Sequence, residues 1–231
     1  MFSFIGTVYF EGLYKPIYNL VIFTYNLTPG PSFGLAIIGL AIFIRFIFLY
    51  FTLLGYKHDL QLAEVKPLIE RIELDKSLSS REKIDRVSAL LRPHGINPFL
   101  TSIPLFAQII FLGVLYQIIQ GGIYTPGLHN LYPFVAAPTQ LNTFFFGFNL
   151  AKTSILLSLV AAFSLFLERV WEYNEHKEMT RLTLSQRWDP LIWPLGTFII
   201  LTILPSAKAI FLITSVAFSM TIKGIVHLSR S

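Results

Sequence analysis

From residue 93 to residue 151 the chain carries no Asp, Glu, Lys or Arg. A soluble domain cannot present so long a stretch to water, since about a quarter of ordinary residues are charged. Over all 231 residues the charged share is 13% and the hydrophobic share 54%. The apolar stretches are continuous rather than alternating, which selects membrane-spanning helices over a barrel. The expected fold class is therefore an all-α integral membrane protein. Five spans are read at residues 33–54, 98–120, 148–167, 190–204 and 207–222, the last two joined tightly through Pro205-Ser206.

The first of these runs contains one charge, Arg45, nine to twelve residues from either end. At that depth a guanidinium costs roughly 2.5–3.5 kcal/mol on insertion-based scales. No span carries a carboxylate at matching depth. The charge is therefore expected to face a hydrated cavity. The plainer alternative is a side chain that snorkels to an interface.

The segments between the spans are of two kinds. Residues 55–97 hold eight basic and seven acidic side chains, and residues 168–189 hold four and five. Residues 121–147 hold none. With both charged loops and the tail 223–231 in the cytosol, fourteen Lys and Arg lie inside. Only Lys15, Lys152 and Lys208 lie outside. The positive-inside rule then gives N-out, C-in topology. Residues 1–32 form the outer segment, with an amphipathic helix over 13–27 on the outer leaflet and its tyrosines at headgroup level. The first fourteen residues lack the Lys and Arg of a secretory signal's basic start, which leaves open an uncleaved start or a leader removed earlier.

The 55–97 loop has helical periodicity. Leu62, Val65, Ile69 and Ile72 form one stripe, and Ile84, Val87 and Leu91 another. Ser79 and Glu82 stand at capping-box spacing between them. A cytosolic helical hairpin is expected, its two apolar stripes buried mostly against each other.

Several motifs fail on context. Gly30-Pro31-Ser32-Phe33-Gly34 matches G-x-S-x-G, but it leads into a span with no strand before it. A helix-start turn is the better account. The five histidines show no ligand spacing and there is no cysteine, so no metal, cofactor or catalytic thiol is expected. No nucleotide-binding loop is present, and nothing suggests an enzyme or sequence-specific nucleic-acid binding. The spans do carry mild polarity, including Thr101, Gln108, Ser158, Thr214 and Ser215. Such groups ordinarily tie helices together. If they converged on Arg45, they would line a polar groove.

The order of these parts resembles the YidC-type membrane protein insertases and their mitochondrial and thylakoid relatives. The carrying residues are Tyr14-Lys15-Pro16-Ile17-Tyr18-Asn19-Leu20 before a span with one Arg, then Lys66-Pro67-Leu68-Ile69. They continue with Ile96-Asn97-Pro98-Phe99, Ile103-Pro104-Leu105-Phe106-Ala107-Gln108, Leu204-Pro205-Ser206-Ala207, Thr214-Ser215 and Phe218-Ser219. The chain departs from the family at Tyr50 and Ile110, where prolines are common. It departs again at Leu212 and Val216, where a tryptophan and an asparagine are common.

The resemblance implies an insertase of a bacterial plasma membrane. It would move hydrophobic segments and short polar tails of nascent membrane proteins into the bilayer. Its groove would be lined by Arg45, Gln108, Thr101, Ser158, Thr214 and Ser215, and a ribosome and the Sec translocon are further partners to consider. A small channel or transporter with an Arg45-lined anion path, and a structural subunit of a larger membrane complex, are the alternatives.

Overall fold

A computed structural model describes residues 2–94, 98–120, 130–138, 140–179 and 184–228. The Ile96-Asn97 motif, residues 121–129 and 180–183, and the end of the tail from 229 lie outside the described residues.

The chain is mostly helical. In order come α1 (Phe2–Tyr9), a π-helical turn (Phe10–Tyr14), α2 (Lys15–Leu27), α3 (Phe33–Ile47), α4 (Leu49–Leu74) and α5 (Ser80–Leu91). They are followed by α6 (Pro98–Gln120), the strands β1 (Phe144–Phe145) and β2 (Phe148–Asn149), α7 (Ile155–Met179), α8 (Leu184–Ile203) and α9 (Ala207–Leu228). Among the described residues one helix, α9, is both long and apolar enough to cross a bilayer. Phe33–Ile47, Phe106–Ile119 and Pro190–Ile203 are shorter apolar stretches.

Two units can be described separately. The first comprises Met1–Phe46, Gln108–Glu168 and Leu191–Ser231. Its core is built by helical spacing. Phe33, Ala36, Ile37, Leu40 and Ala41 make one face of α3, and Phe111, Val114, Leu115 and Ile118 one face of α6. Tyr18, Val21, Ile22 and Tyr25 on α2 join them, with Ala207, Ala209, Ile210 and Phe211 on α9. Opposite faces remain apolar although exposed: Leu35, Ile42 and Phe43 on α3, Leu159 and Phe163 on α7, Ile199 and Ile200 on α8. A water-soluble protein does not expose so much contiguous apolar surface, whereas lipid accepts it.

The described part of the charge-free segment is folded rather than a loose loop. Asn19, buried on α2, donates to the carbonyl of Asn130 at 2.9 Å and accepts from the Tyr132 amide at 2.6 Å. Tyr25 Oη donates to the Gln140 carbonyl and accepts from the Asn142 amide. The Phe33 amide then donates to the Asn142 carbonyl, and the Ala207 amide to the Leu150 carbonyl. The first ends of α3 and α9 are thus pinned to residues 142–152. β1 and β2 pair antiparallel around Phe146-Gly147, both at positive φ (46° and 83°), as a two-residue type I′ hairpin requires. Against the expectation of exposed tyrosines over residues 13–27, Tyr18 and Tyr25 are buried within the protein.

Gly30-Pro31-Ser32-Phe33-Gly34 starts a helix, as the sequence context suggests. Gly30 has φ +68°, and the Ser32 carbonyl accepts from the Ala36 amide. Gly34 packs so closely under the Phe145 ring that a Cβ would collide with it.

The second unit comprises Ile47–Ala107 and Arg169–Pro190. The expected span 33–54 is not one helix. It breaks at Phe48, whose backbone (φ −94°, ψ 9°) leaves the helical region before α4 begins. α4 and α5 form the expected hairpin. Ser79 and Glu82 make the full reciprocal capping box, and Lys83 Nζ reaches back to the Glu73 carbonyl at 2.6 Å. Mutual burial of the stripes is only partial. Val65 is buried, but Ile84 is 66% exposed and α5 has no buried residue. Two helices meeting along one line cannot enclose a stripe wider than that line.

Candidate functional site

Arg45 and Gln108 are brought together. Arg45 sits in the last turn of α3 and donates from Nη2 to Gln108 Oε1 at 3.5 Å. That is the long end of hydrogen bonding. Among the described residues Gln108 is the only group Arg45 hydrogen-bonds. A guanidinium has five N–H donors, so most of its bonding capacity is not committed to Gln108.

Aromatic contacts fix the helices around this pair. Phe46, next to Arg45, packs edge-on against Phe218 of α9 at 5.1 Å. Phe111, one turn after Gln108, stacks on Phe211 of α9 at 5.0 Å. α3, α6 and α9 therefore meet pairwise near Arg45. Between Phe211 and Phe218 on α9 lies Ser215, 1% exposed, whose hydroxyl has no hydrogen-bond partner among the described residues. A buried hydroxyl left unpaired is uncommon and costly.

The other residues singled out in the sequence fall differently. Thr214 Oγ1 donates to the Ile210 carbonyl at 2.9 Å, and Ser158 Oγ to the Ser154 carbonyl at 2.9 Å. Each is satisfied one turn back on its own helix. Thr24, Thr52, Ser164 and Thr221 do the same. The hydroxyl protons of these residues are thus committed to backbone carbonyls one turn back. Thr101 falls on α6, but its side chain lies outside the described residues. Of the departures from the family pattern, Val216 is buried and Tyr50 and Ile110 are exposed.

One charged contact was not read from the sequence. α7 continues past the expected span end at residue 167 to Met179, which places Glu168 within the helix. Glu168, 7% exposed, accepts from Lys223 Nζ of α9 at 3.2 Å. The signal was available: α7 and α9 each carry one of these charges directly beyond an apolar run. Neither residue alone indicates the other.

Comparison with known proteins gives a consistent picture. The model of the family described as 60Kd inner membrane protein matches residues 23–230. A membrane protein insertase YidC from Geotalea daltonii is 28% identical over 110 residues. That match covers 47% of this chain and 20% of the relative, so it spans about a fifth of that protein's length.

Proposed function

The chain belongs to the 60Kd inner membrane protein family, and on that premise we propose that it is a membrane protein insertase. It takes the hydrophobic segments and short polar tails of nascent membrane proteins into the bilayer beside Arg45. The observation that carries this reading is the polar pair Arg45–Gln108, set where α3, α6 and α9 meet, with most of the guanidinium uncommitted among the described residues. The Ser215 hydroxyl between the two α9 aromatics, unpartnered among the described residues, supports a hydrated site, since water is the usual partner of such a group.

The mechanism needs no bond chemistry. Arg45 attracts acidic or polar groups of an incoming tail. Hydration lowers the cost of carrying that tail past the apolar faces of the helices. The hydrophobic segment then passes into lipid, driven by about 25 cal/mol for each Å² of apolar surface removed from water. Five spans with N-out, C-in topology in the bacterial plasma membrane are part of this reading, supported by the division of Lys and Arg. The charged faces of α4 and α5 are a surface on which a ribosome or translocon would dock. A channel needs an opening through both leaflets. The pinning of α3 and α9 to residues 142–152 favours a site closed at that end.

The test is reconstitution. Purified protein in lipid vesicles is expected to insert a single-span client with a short acidic tail, measured by protease protection of that tail. Anion flux without insertion would support the channel instead.

A further inference from the structure

Glu168 and Lys223 form an ion pair largely withdrawn from solvent, with side-chain exposures of 9% and 16%. Lys223 lies five residues beyond Phe218, about 7.5 Å further along α9. Phe218 packs on Phe46, the neighbour of Arg45. That contact sets α9, which carries Lys223, beside the end of α3 that carries Arg45. Glu168 is paired with Lys223, and with Arg45 added the three formal charges sum to a single positive charge. Removing one partner of such a pair leaves an uncompensated charge in poorly solvated surroundings. That charge must then act on whatever lies nearby, which includes Arg45.

We propose that Glu168 is a specificity-setting residue: by pairing with Lys223 it holds the site beside Arg45 at one net positive charge, and so sets how strongly acidic client tails are preferred over neutral ones. This rests on the insertase reading above. If Glu168 were absent, two cations would attract the tail. If Lys223 were absent, Glu168 would oppose Arg45 and the attraction would vanish. The charge balance, rather than the pair itself, is what the client senses.

The experiment measures insertion of two clients that differ only in an acidic or neutral tail, on the same reconstituted preparation. The readout is their ratio, so a loss of folded protein cancels. Glu168→Gln is expected to raise the acidic-to-neutral ratio by about fivefold, the scale of one unit charge acting across a partly hydrated gap. Lys223→Met is expected to lower it by a similar factor. The double variant, with the pair gone but one net charge kept, is expected to return to the parent ratio. The reversed pair, Glu168→Lys with Lys223→Glu, keeps both the pair and the net charge. It should also give the parent ratio, and it serves if either single variant fails to accumulate.

A purely structural pair would depress both clients in parallel in the single variants and leave the ratio unchanged. That result, or a shifted ratio in the reversed pair, overturns the proposal. Arg45→Ala is the reference arm. If it lowers the ratio while the Glu168 and Lys223 variants do not, this inference fails and the insertase reading stands. If Arg45→Ala leaves the ratio unchanged, the charge-guided reading itself fails.

Discussion

Arg45 on α3 and Gln108 on α6 meet at 3.5 Å, the one hydrogen bond that Arg45 makes among the described residues. A contact that long does not lock a guanidinium in a bidentate geometry. Gln108 leaves most of the guanidinium donors without a partner among the described residues. The proposed charge-guided site is tested by how the variants of Arg45 behave.

Orientation in the membrane can be tested without background, because the chain has no cysteine. Lys76, in the turn after α4, and Thr153, just before α7, are both exposed. A single cysteine at Lys76 should be shielded from an impermeant reagent added outside intact cells. One at Thr153 should be labelled. The opposite pattern contradicts N-out, C-in topology.

Gly34 lies directly under Phe145. Gly34→Ala is expected to destabilise the protein by about 1–3 kcal/mol, the usual cost of overpacking. Combining it with Phe145→Ala should recover part of that loss. Thermal unfolding in detergent, followed by tryptophan fluorescence, checks this; equal losses in the single and double variants would remove Phe145 as the cause.

What the sequence conveyed and what it did not have separate physical causes. Periodicity indicated α4 and α5, and the Ser79–Glu82 spacing indicated their cap, because these depend on neighbours within a few residues. The break at Phe48 was hidden, since neither glycine nor proline marks it and hydropathy runs straight through. Asn19 is a lone polar residue in an apolar helix, and the sequence around it does not show what it bonds. Its role depends on Asn130 and Tyr132, more than a hundred residues away. At the site, the depth of Arg45 was legible because a charge inside an apolar run is costly anywhere. The hydrogen-bond partners of Thr214 and Ser158 were not, because a hydroxyl's partner depends on local helix geometry. Glu168 was missed because its helix continues beyond the apolar run that defined the span.

Asn19 holds both ends of a backbone turn. Asn19→Ala should cost about 2 kcal/mol by leaving the Asn130 carbonyl and the Tyr132 amide unpaired. Asn19→Asp keeps the acceptor for Tyr132 but sets a carboxylate oxygen against the Lys15 and Asn130 carbonyls, and should cost at least as much at neutral pH. Comparing unfolding temperatures of the two variants is sufficient. Parent-like stability of the alanine variant would show that these bonds do not hold the segment.

The hairpin turn should loosen in acid. The Ser79 backbone N–H and hydroxyl hold Glu82 below its ordinary carboxylate range, and the Ser77 hydroxyl and amide do the same for Asp75. A carboxylate depressed in the folded state stabilises that state above its unfolded pKa, and the contribution is lost as pH falls through the folded value. Amide exchange at the start of α5 should therefore be flat from neutral down to about pH 5 and quicken, beyond the intrinsic pH effect, below about pH 4. Ser79→Ala should quicken it about fivefold at neutral pH. Unchanged exchange in that variant would mean that the cap does not hold the helix.

The most direct test of the account is insertion of an acidic-tailed client by Arg45 variants reconstituted at equal protein levels. If the charge acts through a hydrated site, Arg45→Lys keeps most of the activity, because a general field does not need the guanidinium shape. Arg45→Ala should lose at least about tenfold, the effect of roughly 1.4 kcal/mol on the transfer step, with a smaller loss for a neutral-tailed client. Full activity of Arg45→Ala on the acidic-tailed client would contradict the account.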